Sequence, residues 1–413
     1  METVGYMQSV SRFPITLINL FEHRSGPGIL SLRKEVNFDE YSAVVIHNTV
    51  SYNVDNLRSL DTLLKTKLHS YRGVKVLMKQ DENYLCQELA RYIGETGFDI
   101  IFTCLPPEAV PLVYPPAIVG TPRFERMLTG YITPTLRQRS YDSHAPRPID
   151  IGYRGSIQPL NFGRLAYEKR KIGEDVKQLL VDAGLRLDIS SRWEDRFGGD
   201  AWFDFLASCK ATLGAESGAS LFDLNGDLAA RCAALEEKLG PEREDGEYAE
   251  AYLAGLADLE DNVHYHQISP RHFEAAATGT LQLLYPGDYS GILKAGRHYF
   301  PLARDYSNLA EAVALIQNEP ERRTMTKAAY TEIIQNPDYW IESFVGRFDA
   351  LLAESIASGV RAKPVIKRPL QLKRTIKILR FNIAQMIWKF TPLFLQRRLK
   401  PLARKLFQIY DLT

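Results

Sequence analysis

Along the first third of the chain, short apolar runs alternate with longer stretches in which apolar residues recur at helical spacing. Residues 14–20, 42–47, 74–78 and 99–104 are the apolar runs, and they read as strands ending in polar loops. Between them, residues 54–70 and 84–97 carry apolar side chains every three or four positions and read as helices. Alternation of this kind predicts βαβ units on a parallel sheet, with the loops after the strands facing any ligand. A polar, proline-containing stretch at 141–148, with His144, Pro146 and Pro148, reads as a linker, and a second α/β series follows it. Its expected strands are 149–154, 186–189, 211–214, 280–285 and 299–302. Its expected helices are 163–183, 201–209, 271–278 and 308–318.

Two segments break this rhythm. Residues 223–262 are acidic and rich in Ala, Leu and Glu, a composition of high helix propensity that predicts an inserted helical hairpin. The end of the chain is different again. Residues 361–413 hold 14 basic and 1 acidic side chains, a net +13, which leaves −12 on residues 1–360. Within it, 373–390 and 393–410 interleave Lys and Arg with Ile, Leu, Phe and Trp388 and read as basic amphipathic helices. An anionic membrane surface is the favoured partner; packing on the acidic body and a nucleic-acid arm are the alternatives. The expected organisation is therefore a first α/β domain at 1–145, a second at 149–360 and the tail at 361–413.

Composition narrows the setting. At 413 residues the chain exceeds what one core usually organises, and a 45% hydrophobic, 24% charged composition is that of globular proteins. The four cysteines show no CxxC pairing, which points to a reduced compartment. The first residues lack a secretory pattern, and no stretch reaches the length of uncharged apolar residues that a membrane span requires. A cytoplasmic protein, peripheral at the membrane, is the expectation.

The stretch 268–300 is the most informative. Ser269-Pro270 starts a helix, Ser supplying the cap and Pro occupying the first helical position. Glu274 follows in its early turns, Gly279 ends it, and a buried strand leads to the turn Tyr285-Pro286-Gly287-Asp288. Phe273-Glu274-Ala275-Ala276-Ala277-Thr278-Gly279, then Gly296-Arg297-His298-Tyr299-Phe300, then Asn308-Leu309-Ala310-Glu311-Ala312 resembles the C-terminal domain of group 1, family 4-like GT-B glycosyltransferases. The likeness covers roughly residues 149–335 and is architectural before that.

The resemblance implies two Rossmann-like domains facing across a cleft, the acceptor domain at 1–145 and the nucleotide-sugar domain at 149–360. It also implies a nucleotide-sugar donor whose ribose Glu274 holds, amides of Ser269 to His272 near phosphate or sugar oxygens, and Arg271 as a diphosphate partner. One position departs from the family. The first glutamate of the family's pair, eight residues before Glu274, is His266 here, so the resemblance does not support retention of stereochemistry. Glu216, directly after the strand at 211–214, is the alternative site carboxylate.

Other candidates come from the residues themselves. The strand at 149–154 runs into Gly155, and a glycine there lets backbone amides approach a phosphate; Arg154 adds charge. In the first domain, His47 and Asp81 follow strands, where each reads either as a general base toward an acceptor hydroxyl or as a helix cap. His264, His266 and Asp261 lack a third ligand at recognisable spacing, and no DxD pair is flanked by strands, so no obligatory metal is expected. The expected function is hexosyl transfer from a nucleotide-sugar to a cell-surface glycan or lipid-linked acceptor. The alternative is a non-catalytic, membrane-attached nucleotide-sugar or glycan-binding protein on the same scaffold.

Overall fold

A computed structural model describes residues 2–18, 37–52, 65–139 and 146–359. The basic tail, most of the 54–70 helix and residues 141–145 of the linker lie outside the described residues. Two parallel sheets organise the rest. The first has strand order β1-β2-β3-β4, built from Ala43–Ile46, Val74–Lys79, Ile100–Thr103 and Arg123–Arg126. The second has order β11-β10-β7-β5-β6, from Phe300–Pro301, Leu281–Leu284, Cys209–Gly214, Ile149–Arg154 and Leu187–Ser190. Every pairing in both sheets is parallel. A two-stranded antiparallel ribbon, β8 (Ser217–Gly218) with β9 (His266–Gln267), lies between β7 and the helix Pro270–Ala277.

The central strands are buried on both faces, which is why they read as unbroken apolar runs: all six residues of β2 and all four of β3 and β10 are buried. The described part of the expected first strand, residues 14–18, has no regular structure. Residues 14–18 are mostly exposed, so the apolar pattern there had no sheet to complete. An unexpected edge strand, β4, reads Arg-Phe-Glu-Arg. Its charges hide it from a hydrophobicity pattern and suit a sheet edge.

The chain crosses between the two halves more than once. Helix Ile341–Ser358, although it follows the second α/β series, packs on the first sheet: Phe344 and Phe348 lie 5.7 and 5.5 Å from the Phe102 ring. Its buried Asp349 accepts hydrogen bonds from the Ser11 hydroxyl (2.7 Å) and the Arg12 amide (2.8 Å), tying down the N-terminal segment. The expected hairpin insertion is present as helices Asp227–Leu239 and Gly246–Ala254. It closes a small core of its own, with Leu228, Cys232, Tyr248 and Tyr252 against Tyr167 and Leu221. Its root is fastened to the first domain: the Asp223 amide donates to the Asn83 carbonyl (2.8 Å) and the Cys86 amide to the Asp223 carbonyl (3.0 Å).

Helix Ile341–Ser358 therefore belongs energetically to the first sheet. Phe344→Ala should cost about 3 kcal/mol, the range for emptying a buried aromatic site, and lower the denaturant midpoint of the first domain. An unchanged midpoint would show that the helix docks without contributing to that core.

Candidate active site

The C-terminal ends of β5, β7 and β10 open into a cavity of about 240 Å³ between helix Asp200–Ser208 and helix Pro270–Ala277. Lys169, Arg196 and Arg271 bring three cationic side chains to its wall, and no carboxylate is part of the lining. This concentration of positive charge around a concave site suits an anionic ligand. Lys169 is largely desolvated, and burial pulls its ammonium down to about 8, with the Arg271 charge acting the same way and Asp81 opposing both.

Asp81 is the first domain's contribution. It sits just past β2 with a positive φ of 51°, a conformation uncommon for a residue with a side chain and frequent at functional sites. Burial raises its carboxyl pKa, while Lys79 and Lys169 pull the other way. The turn is held by Lys79, whose buried ammonium donates to the carbonyls of Tyr52 (3.1 Å), Asp81 (2.9 Å) and Gln80. The adjacent Glu82 is fully buried, accepts from the Thr103 hydroxyl (2.6 Å), the Cys104 amide (3.1 Å) and the Tyr114 hydroxyl, and is raised to about 7 by burial. Glu82 is thus a structural group.

Ser269, Arg271 and His272 meet at the cavity. The Ser269 cap forms as expected, but with a consequence for the expected phosphate contacts. Ser269 already takes the amides of Arg271, through its side-chain oxygen, and of His272, through its carbonyl, and its own amide donates to Nδ1 of His272. Those amides are spent on the capping box, so cationic side chains carry the anion affinity. The Arg271 guanidinium donates to the Arg154 carbonyl and lies 5.3 Å from the Trp202 ring.

The remaining candidates take other places. Arg154 is buried and points away from the cavity region: its guanidinium pairs with Asp188 (2.8 Å), donates to the Asp195 carbonyl (2.8 Å), and stacks on Phe205. It is a strut, where a diphosphate partner was expected. At Gly155 a Cβ would stand 2.5 Å from Ser191 Oγ and 3.1 Å from the Lys169 carbonyl, so the glycine serves close packing of the loop. Glu274 accepts from the Trp202 indole N–H (2.8 Å) and so sets the orientation of a ring in the cavity wall. His47 caps helix Asn48–Ser51 by accepting from the Thr49 amide, and burial lowers it to about 4. It is not among the cavity residues.

Glu216 and His266 form a unit beside the site. The carboxylate takes the Tyr289 amide on Oε1 (2.7 Å) and His266 Nδ1 on Oε2 (2.7 Å), while His266 Nε2 reaches Asp261 Oδ1 (2.8 Å). With both oxygens engaged and 3% of its surface exposed, Glu216 is a positioning group rather than a base. The imidazole, at the position where the family resemblance expects a glutamate, bridges two carboxylates. Among the described residues, no group of three or more His, Cys, Asp or Glu side chains is arranged to hold a metal ion.

Sequence reading missed Lys169, Arg196, Trp202, Thr212 and Gln282. The first four are unremarkable in their local sequence and meet only through the fold. Gln282 did leave a signal, as the single polar residue inside the strand Leu-Gln-Leu-Leu.

Residues 178–340 match a family model described as glycosyl transferase-like. The architecture around that segment, two Rossmann-like domains on parallel sheets, is the GT-B arrangement that the sequence resembles. No curated protein sequence matches the chain. Among solved structures, the chain is similar to Anabaena HepE in complex with UDP, at 11% identity and a TM-score of 0.42, covering 77% of this chain and 80% of that one. The same protein with UDP-glucose gives 13% and 0.38, over 78% and 80%. The pneumococcal O-GlcNAc transferase GtfA, in complex with UDP and GlcNAc, gives 8% and 0.39, over 76% and 56%.

The His266 bridge yields a pH prediction. Burial disfavours its charged form, but the hydrogen bonds and fields of Glu216 and Asp261 outweigh burial and raise it from 6.5 to about 9. The bridge therefore contributes fully below pH 6.5 and is lost as pH rises through 9. Between those values the protein should lose roughly 1–3 kcal/mol of stability that His266→Gln does not lose, as read by denaturant titrations at each pH. Parallel pH profiles for the two proteins would refute the bridge.

Proposed function

We propose that this protein is a glycosyltransferase that moves a hexosyl group from a nucleoside-diphosphate sugar to an acceptor hydroxyl. The observation that carries the reading is the convergence of Lys169, Arg196 and Arg271 on one cavity, with Asp81 of the opposite domain in the field of Lys169. In the reaction, the acceptor oxygen forms a bond to the anomeric carbon as the bond from that carbon to the diphosphate oxygen breaks. Asp81 takes the acceptor proton: Lys169 keeps the carboxylate ionised beforehand, and its desolvated surroundings favour holding the proton afterwards. The three cations stabilise the departing diphosphate, so the step calls on no divalent ion. Trp202, held by Glu274, borders the region where the ribose lies. The glutamate at 274 acts both on that sugar and through the indole.

The acceptor is a cell-surface glycan or a lipid-linked saccharide, presented at the cytoplasmic face of a membrane. The support is electrostatic: a net +13 tail on a body of −12 directs an anionic surface to the tail and away from the body. No helix among the described residues is long and apolar enough to cross a membrane.

Asp81→Asn should bind nucleotide-sugar as the wild type does and lose turnover by about 100-fold or more, the usual share of a general base. Calorimetry with a panel of nucleotide-sugars, followed by assay of released nucleoside diphosphate, reads both. Equal turnover in the variant would remove Asp81 from the mechanism, and failure of the wild type to bind any donor would remove the function.

Deleting residues 365–413 should leave a folded, donor-binding protein that no longer sediments with anionic vesicles. Full-length binding should weaken with salt as the screening length falls from ~10 Å at 0.1 M to ~3 Å at 1 M. A truncated protein that melts earlier, paired with full-length protein that ignores vesicles at low salt, would instead assign the tail to packing on the body.

A further inference from the structure

Gln282 is an anomaly that the proposed chemistry leaves unused. It stands in the middle of the second sheet on β10, flanked by Leu281, Leu283 and Leu284, and is 1% exposed. Neither its Nε2 nor its Oε1 has a hydrogen-bond partner among the described residues, yet its side chain belongs to the wall of the 240 Å³ cavity. A buried primary amide with both ends unmet is disfavoured by the loss of its hydration, and native proteins retain such groups rarely. A leucine in its place would continue the strand's own pattern.

Its surroundings show what it faces. Gln282 is in register with Thr212 of β7, which is in register with Gly152 of β5, so the three lie on one face of the sheet. Helix Asp200–Ser208 covers that face, Phe205 coming within 2.8 Å of where a Gly152 Cβ would stand. Nε2 of His272 lies 3.4 Å from the corresponding point at Gly214. Because His272 Nδ1 accepts the Ser269 amide, its neutral ring carries the proton on Nε2. Its own burial, with the charges of Lys169 and Arg271, keeps it neutral by lowering its pKa to about 3. On this face the cavity wall thus offers an amide donor and acceptor, the Thr212 hydroxyl and an imidazole N–H, with the flat indole of Trp202 also in the lining. Lys169 lies toward Asp81 of the other domain, each charge acting on the other, while Arg271 stands 5.3 Å from the indole ring.

We propose that Gln282 reads the nucleobase of the donor, its amide pairing with an edge that places a hydrogen-bond donor next to an acceptor. This rests on the glycosyltransferase reading and deepens it. With the diphosphate on Lys169, Arg196 and Arg271 and the transferred sugar toward Asp81, the base is the planar, edge-polar end that remains for the floor. Saturating the amide's two unmet groups is the gain that favours a nucleotide over pyrophosphate alone.

The test uses the full chain, titrated calorimetrically with UDP, ADP, GDP, CDP and inorganic pyrophosphate. Gln282→Leu should weaken the preferred nucleoside diphosphate at least tenfold, about 1.4 kcal/mol, leave pyrophosphate affinity unchanged, and melt no lower than the wild type. Gln282→Glu, whose carboxylate only accepts, should lose the hydrogen bond that Nε2 donates to the acceptor of the base's edge, and with it affinity for the preferred nucleoside diphosphate. Wild-type affinity for every nucleotide in Gln282→Leu overturns the proposal, as does a loss that includes pyrophosphate. Loss confined to nucleotide-sugars, with free diphosphates unaffected, also overturns it by assigning the amide to the sugar. Wild-type protein that binds none of the four nucleotides overturns the glycosyltransferase reading itself, a result visible without any variant.

Discussion

A lysine ammonium held by three backbone carbonyls, buried at the end of β2, is the constraint on which the cleft depends. Lys79 has no route to water, so the chain after β2 must curl its carbonyls back onto it, and that curl puts Asp81 into a left-handed conformation. Two things follow from one unmet charge. The turn becomes rigid, because straightening it would strand the ammonium, and the carboxylate of Asp81 is delivered toward Lys169 on the facing domain. A second buried carboxyl, Glu82, is placed by the same turn but consumed by Thr103, Cys104 and Tyr114. One of two neighbouring acids thereby stays in the field of Lys169 while the other is tied into the first domain.

Much of the fold was legible because both sheets are parallel and buried on both faces, which writes each central strand as an apolar run bounded by polar loops. The second α/β series could be read nearly to its ends for this reason, and so could the helical insertion, whose composition departs from both neighbours. Legibility failed where tertiary context overrides local pattern. Residues 14–18 have the composition of a strand but no partner to pair with, and β4 is charged because it lies at an edge. The return of helix Ile341–Ser358 to the first sheet is a property of topology that no local periodicity records.

The site divides in a similar way. Ser269, Arg271, His272 and Asp81 were visible as residue types in suitable local settings, and they do gather around the cleft. Arg154 and His47 were visible for the same reasons and have other work, since a cation after a strand and a histidine before a helix are equally good structural parts. Glu216 shows how a departure in one position spreads. His266 holds Glu216 on one ring nitrogen and Asp261 on the other, so both carboxylates are engaged by a single side chain.

The stitching of Asp223 to Asn83 and Cys86 has a mechanical consequence. Two lobes joined along one side open like a book; here the chain also fastens them at the root of the inserted hairpin and again where the Thr129 hydroxyl donates to the Ile268 carbonyl. Separate fastenings remove the freedom to gape, and the remaining motion is a slide or twist of small amplitude. Substrates then enter a cleft already assembled, so little of their binding energy is diverted into closing it. What adjustment remains falls to exposed side chains such as Trp193, on whose ring the Arg196 guanidinium of the cavity wall is stacked.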